Sequence, residues 1–153
     1  AHLFIEKPLG MNVDGWQDVE RLCIDNKIIS YVAYCHRHII FSKKLKEMVD
    51  KGLIGRLVHA NMRWGSYLPD WHPYEDYLEL YACRRELGGG VLLTEIHEID
   101  LAVWYFGLPN SVVCVGGTYS NVGMDVEDTV RLTLDYIKFS VQQRFVYLVK
   151  VIL

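Results

Sequence analysis

Lys7, in Glu6-Lys7-Pro8 directly after the apolar run His2 to Ile5, and His97, on a helical stretch that opens after Gly88-Gly89-Gly90 and also carries Asp100, are the residues suited to proton chemistry. An ammonium and an imidazole brought to one place can together handle the proton that a hydroxyl loses when its carbon gives up a hydride. The G-x-G-x-x-G loop that would hold the phosphates of a dinucleotide hydride carrier does not occur in the 153 residues. The sequence therefore reads as a hydride-transfer piece that begins after its cofactor loop.

Each of these residues also has a plainer reading. A lone lysine is ordinarily a solvated surface residue. Lys7 stands out because it follows a strand, and ligands of open α/β sheets bind beyond the carboxyl ends of their strands. Pro8 can hold the preceding bond in cis, the minority state even for X-Pro. Leu93, His97, Asp100 and Trp104 share one helical stripe, and a histidine and an aspartate in so apolar a helix need partners or a water-lined cleft. An isolated histidine there would simply be a hydrogen-bonded core residue; Asp100 and the long loop before the helix make it a candidate. The three glycines follow no strand, so they are no dinucleotide fingerprint and serve as a tight entry into the helix. His36 and His38 stand two apart like metal ligands, but no further ligand at known spacing accompanies them, and no metal is expected. Trp71, Tyr74, Tyr77 and Tyr81 either stack on a ring-shaped substrate or pack the loop onto the domain. Cys35 is not placed to pair with a base in a recognised order.

The elements that must position these residues begin with His2 to Ile5, an apolar run typical of a strand buried on both faces. Asn12 is a cap for a helix to about Asn26, and Lys27 to Tyr34 is a second strand. Strand, helix and strand in this order form a right-handed crossover, the tail of a doubly wound sheet. A helix from Ile39 carries Phe41, Leu45, Met48 and Val49, with Gly52 as its carboxyl-terminal cap. Arg56 to Tyr67 is a strand, 68 to 86 an irregular excursion, and Val91 to Phe106 an apolar helix. Val112 to Tyr119, Val126 to Tyr136 and Phe139 to Leu153 follow with no helix between them, so they should lie side by side in a mainly antiparallel sheet with one apolar, partly uncovered face inviting self-association. The turn between Tyr136 and Ser140 lacks an Asn-Gly signal, which leaves its register open. The class is α/β, turning α+β in the carboxyl-terminal part with helices on one face of the sheet. The expected division is 1–35 for the remnant of a parallel-sheet domain and 36–153 for an incomplete second domain. The first strand has nothing before it to pair with and the last apolar run has no turn after it, so both ends read as cut.

Composition bounds the partners. A chain that is 51% hydrophobic and 23% charged can bury a core. Its net charge of -3 and pI near 6.1, with scattered cations, give no footprint for nucleic acid or an anionic membrane, which leaves small molecules or proteins. Four cysteines without C-x-x-C spacing fit a reduced, cytoplasmic setting better than a disulfide framework. No run approaches the roughly 20 apolar residues of a membrane helix, and the start lacks a signal-peptide pattern.

Phe4-Ile5-Glu6-Lys7-Pro8, Tyr34 with Arg37, Gly52-Leu53-Ile54-Gly55-Arg56, Tyr67-Leu68-Pro69-Asp70-Trp71-His72-Pro73, and Gly88 to Leu93 leading to His97-Glu98-Ile99-Asp100 and Trp104-Tyr105-Phe106-Gly107 resemble, in order and spacing, the glucose-fructose oxidoreductase and inositol dehydrogenase (Gfo/Idh/MocA) family. The likeness runs from residue 1 to about Tyr136. It implies a Rossmann domain followed by an α/β domain whose open antiparallel sheet mediates homo-oligomerisation, and NAD or NADP chemistry on a sugar, cyclitol or sugar-derivative carbon. It further implies that Lys7 lies between nicotinamide and substrate, that Glu6, Pro8 and Arg37 serve the cofactor side, that His97 is the acid/base, and that Trp71, Tyr74, Tyr77 and Asp100 face the substrate. The sequence departs from the family in two places. Leu93 and Thr94 occupy the turn before His97 where an aspartate is common, Glu95 being expected to project elsewhere, and the glycine loop is missing. Two readings follow: a fragment of an NAD(P)-dependent oxidoreductase that alone binds the dinucleotide poorly and turns nothing over, or a non-catalytic module kept for its sheet as an oligomerisation or ligand-binding surface.

Overall fold

The computed structural model describes residues 1–147; the final part of the third carboxyl-terminal strand expected from the sequence, 148–153, lies outside the described residues. The chain opens with β1 (Leu3–Ile5), α1 (Trp16–Asp25) and β2 (Ser30–Val32), the two strands pairing parallel in the register Leu3 to Ser30 and Ile5 to Val32. This is the crossover that the sequence indicates, with two corrections. Gly15, at φ 77°, precedes α1 where Asn12 was expected to cap it; Asn12 Oδ1 instead accepts the Asp14 amide at 3.0 Å in a local turn. The strands are also not buried on both faces, because α1 covers one side only: Phe4 is 71% exposed and stacks on Tyr31 at 5.5 Å. Trp16, Val19 and Cys23 of α1 face Ile5 and Val32 across an open cavity of about 690 Å³.

A one-turn 3-10 segment, Cys35–His38, leads into α2 (Ile40–Asp50), whose end is turned by Gly52 at φ 66° donating to the Val49 carbonyl. β3 (His59–Gly65) then starts the main sheet. Residues 68 to 87 are four successive 3-10 turns rather than a free excursion. They are pinned by Leu68 N–H to the Tyr147 carbonyl at 2.8 Å, by Tyr77 Oη–H to the Val122 carbonyl at 2.8 Å and by Arg85 to the Asp125 carbonyl at 2.7 Å. The expected long helix is broken in two, α3 (Val91–Thr94) and α4 (Ile96–Phe106), at Glu95.

β4 (Ser111–Gly117), β5 (Thr129–Asp135) and β6 (Ser140–Val146) are antiparallel neighbours, as expected, but β3 adds a parallel edge strand, giving the order β3-β6-β5-β4. The β5–β6 turn is set by Asp135, whose side chain accepts the Ile137 amide at 3.2 Å while Ile137 takes φ 65°; an Asx turn does the work of the missing Asn-Gly. Register follows as Asp135 opposite Ser140. Alternation then sorts the faces. Val130, Leu132, Leu134, Val141 and Phe145 are buried in the core, together with Val91 and Ala102 from the two helices. The opposite, open face is polar and not apolar as expected. Arg63, Arg144 and Arg131 stand side by side on three adjacent strands, beside a second row of Asn61, Gln142 and Thr133. Among the described residues, the exposed apolar groups on that face of the strands are Val113 and Val115 of β4, the edge strand opposite β3.

Candidate active site

Thr94 ends α3, and interrupting a helix leaves carbonyls of its last turn without partners. Lys7, two residues beyond the end of β1, takes one of them: its Nζ donates to the Thr94 carbonyl at 2.5 Å. The glycines make this meeting possible. The Val91 amide donates to the Glu127 carbonyl at 3.0 Å and the Leu92 amide to Glu127 Oε1 at 3.1 Å, so Glu127 caps α3, and its carboxylate fills the space where a Gly90 side chain would stand. Tyr147 Oη–H donates to the Gly90 carbonyl at 3.0 Å, fixing the same turn to the core. The triplet thus serves helix entry.

His97 lies in the first turn of α4, 7% exposed. His36 stacks on its ring at 4.2 Å, Tyr34 meets it edge-on at 6.2 Å, and Cys35 Sγ lies 4.0 Å from Nε2. Its Nδ1 is buried without a hydrogen-bond partner. Burial, with help from the neighbouring His36 and the Lys7 ammonium and against the pull of Asp100, lowers its pKa to about 4. The ring is therefore neutral near pH 7 and can accept a proton.

Glu95, expected from the sequence to project elsewhere, is instead turned inward at the helix break, where the charge of Lys7 reaches it. It is 7% exposed, and burial lifts its pKa to about 7, Lys7 drawing it down and Glu98 pushing it up. Tyr81 lies close enough to feel the charges of both Glu95 and Glu6, and burial raises its hydroxyl pKa. A carboxyl next to the histidine in the helix pattern was the available signal; its burial beside Lys7 depends on the helix break, which the apolar periodicity hides.

Glu95 makes stability depend on pH. An acid whose folded pKa exceeds its unfolded value near 4.5 carries no penalty at low pH and a growing one as pH rises through about 7. Glu95→Gln should match the wild type in stability at pH 4 and exceed it by roughly 2 to 3 kcal/mol at pH 8, at about 1.4 kcal/mol per pKa unit. Urea midpoints at the two pH values check this; equal midpoints at pH 8 would mean that Glu95 is solvated.

Arg37 and Asp100 are brought together, but with each other. Nε and Nη2 of Arg37 donate to the two Asp100 oxygens at 2.7 and 2.5 Å, and the guanidinium lies 5.7 Å from both the Tyr34 and Trp104 rings. This two-pronged pair ties the segment after β2 to α4 and occupies groups assigned above to cofactor and substrate. Glu6 is exposed and Pro8 half-buried after a cis Lys7–Pro8 bond. Trp71 donates to Ser66 Oγ at 2.6 Å and packs edge-on against Trp64 and Tyr147, and Tyr77 is tied to the Val122 carbonyl, so both serve the packing of the loop. Only Tyr74 among the three remains largely exposed, its hydroxyl 2.8 Å from His72 Nδ1. His38 hydrogen-bonds with Tyr31 while His36 turns to His97, so the i, i+2 histidines part company.

A parallel strand end that brings a lysine to a histidine-bearing helix lies where open α/β sheets bind their ligands, beside a helix-covered mixed sheet. Residues 42–141 match the family model described as the GFO/IDH/MocA C-terminal domain, and the chain belongs to that family. Over 109 residues it is 35% identical to myo-inositol 2-dehydrogenase of Thermotoga maritima, covering 69% of this chain and 29% of that protein. Its fold is similar to aldose-aldose oxidoreductase from Caulobacter crescentus complexed with glycerol, with a TM-score of 0.83 at 21% identity over 97% of this chain and 44% of that one. It is similar again to an oxidoreductase from Agrobacterium radiobacter in complex with NAD+, L-tartaric acid and magnesium, with a TM-score of 0.81 at 18% identity over 100% of this chain and 43% of that one. The chain spans between a fifth and two fifths of the length of the curated relatives it matches.

Proposed function

We propose that this chain is the substrate-facing part of a cytoplasmic oxidoreductase that transfers a hydride between NAD or NADP and a sugar, cyclitol or sugar-derivative carbon. Residues 1–35 belong on this reading to the end of the dinucleotide domain and 36–153 to the substrate domain. The observation that carries the proposal is the meeting of Lys7 with the turn before His97, close enough for the ammonium to depress the imidazole pKa. Relatives bearing the names of an inositol dehydrogenase and an aldose oxidoreductase supply the substrate class.

The residues present fit the nicotinamide end of such a cofactor: a cation at a strand end with Glu6 and Pro8 beside it, and a buried imidazole with an unpartnered nitrogen. When bound, the nicotinamide supplies the hydride acceptor or donor. Lys7 then orients the substrate hydroxyl and offsets the negative charge that develops on its oxygen. Neutral His97 takes the hydroxyl proton, or returns it from imidazolium in the reverse direction. The Arg37–Asp100 pair holds α4 so that His97 stays aimed at the Lys7 side, and Tyr74 is free to turn toward a sugar ring, with Trp71 and Tyr77 supporting it from beneath. Self-association through the open sheet face belongs to the same proposal, with contacts that are polar given the arginine row. The direct test is NADH or NADPH formation by the polypeptide that carries this chain together with a glycine-loop domain, given myo-inositol and a panel of aldoses. Turnover of none of them with either dinucleotide would sink the reading.

A further inference from the structure

Cys35, His36 and His97 place one thiol and two imidazoles so that a ligating atom of each lies within 4.8 Å of the others. They come from two separate segments, the 3-10 turn after β2 and the first turn of α4, held together by the pair of Arg37, one residue beyond His36, with Asp100, three beyond His97. Sulfur with two nitrogens is the donor set of zinc and its borderline neighbours rather than of calcium or magnesium. From this cluster we infer a binding site for a divalent transition ion, zinc by its chemistry, with Cys35, His36 and His97 as ligands and one position left for water or a substrate oxygen.

Geometry supports the assignment. Zn–S near 2.3 Å and Zn–N near 2.0 Å around a tetrahedron put sulfur and nitrogen about 3.6 Å apart. Cys35 Sγ and His97 Nε2 are 4.0 Å apart, so bringing that pair onto an ion requires less than half an ångström of movement, which the exposed Cys35 side chain can supply, and a His36 nitrogen lies within 4.8 Å of both. Glu98 Oε1 lies 3.6 Å from His36 Nδ1, placed to partner a proton on that nitrogen and leave Nε2 to the ion, as carboxylates behind metal-bound imidazoles do. The rings of His36 and His97 lie face to face at 4.2 Å and 24°, which keeps a nitrogen of each within 4.8 Å of the other.

The consequence for function rests on the proposed role of His97. An imidazole whose lone pair is held by a metal cannot take a proton from a hydroxyl, so the ion acts as a reversible inhibitor, released by chelators and by the protonation of its ligands at lower pH.

Cobalt(II) titration of the purified protein tests the site without any substrate. A thiolate-to-cobalt charge-transfer band in the near ultraviolet and tetrahedral d–d bands in the visible are expected, saturating together and displaced by Zn²⁺. Cys35→Ser, an isosteric change at an exposed position, should abolish the charge-transfer band. His36→Gln should weaken binding by more than the roughly 10- to 100-fold that changes behind a metal ligand cost. A band that survives Cys35→Ser, which would place the ion on exposed Cys114, or an affinity indifferent to His36→Gln, overturns the site. In the enzyme assay, Zn²⁺ should lower kcat and a chelator restore it, with Cys35→Ser desensitised at least tenfold. Spectra that follow Cys35 without loss of activity uphold the site and overturn its inhibitory role, whereas absence of turnover in metal-free enzyme tells against the hydride-transfer reading and leaves the spectra to decide the site.

Discussion

His97→Asn should lower kcat by roughly 10²- to 10⁴-fold, the contribution of one positioned general acid/base, while dinucleotide affinity stays nearly unchanged. Asparagine is close to imidazole in reach and polarity but has no lone pair basic enough to accept the proton of an alcohol. The imidazole is neutral above pH 4, so in the oxidation direction the wild-type rate should hold from neutral pH downward until that titration and then fall, and the variant should lose that limb of its profile. Folding is the competing explanation for lost activity, since His97 is buried against His36 and Tyr34. Thermal unfolding of the variant, expected to shift by only a few degrees, separates the two. Near-normal turnover in a folded variant would make His97 a packing residue, and Glu95 would then be the place to look for the proton acceptor, because burial lifts its pKa to about 7.

Local pattern was enough to read the elements but not their meetings. Apolar residues at helical spacing located α2 and α4, and strand-like runs with no helix between them located β4, β5 and β6, because these patterns are local to each element. The parallel pairing of β3 with β6 joins residues some eighty apart, and nothing local to either strand encodes it. The same limit applies at the site. Lys7 and His97 stood out by placement at element ends, yet Cys35 reaches His97 across 62 positions and Lys7 reaches Thr94 across 87. Arg37 and Asp100 were each legible as polar groups needing a purpose, but a purpose shared between them is a three-dimensional fact. The polar face of the sheet was present in the alternation of Arg131, Thr133 and Asp135 with Val130, Leu132 and Leu134; expecting the apolar side to be uncovered underrated α3 and α4, which bury it. In the aromatic loop the sequence could not show that Tyr77 donates to the Val122 carbonyl and Trp71 to the Ser66 hydroxyl, contacts that anchor a segment of 3-10 turns with few ladder hydrogen bonds of its own.

Gly89→Ala should destabilise the fold by more than about 4 kcal/mol, the range reserved for substitutions that force main-chain displacement. A Cβ there would stand 2.5 Å from the Tyr81 carbonyl oxygen, 2.8 Å from that of Ala82 and 2.8 Å from the Arg84 nitrogen, all backbone atoms of the 3-10 turns that the Gly89 and Gly90 amides hold through the Arg84 and Ala82 carbonyls. No rotamer change relieves such a contact; the 3-10 turns at 81–87 must move away from α3. Gly52→Ala is the control. It has the left-handed φ of 66° but open space around it, so its cost is only the roughly 1 to 2 kcal/mol of an L-residue in that conformation. The difference between the two variants therefore isolates close packing from backbone conformation. Because α3 ends on the carbonyl that Lys7 grips, moving the entry turn also loosens Lys7 from Thr94. Residual folded Gly89→Ala protein, examined below its lowered midpoint, should accordingly have an imidazole pKa at His97 above its wild-type value, since one of the charges that depresses it has been released. Equal unfolding midpoints for the two variants, or an unchanged His97 titration by NMR in Gly89→Ala, would show that the glycine triplet does not set the position of the lysine.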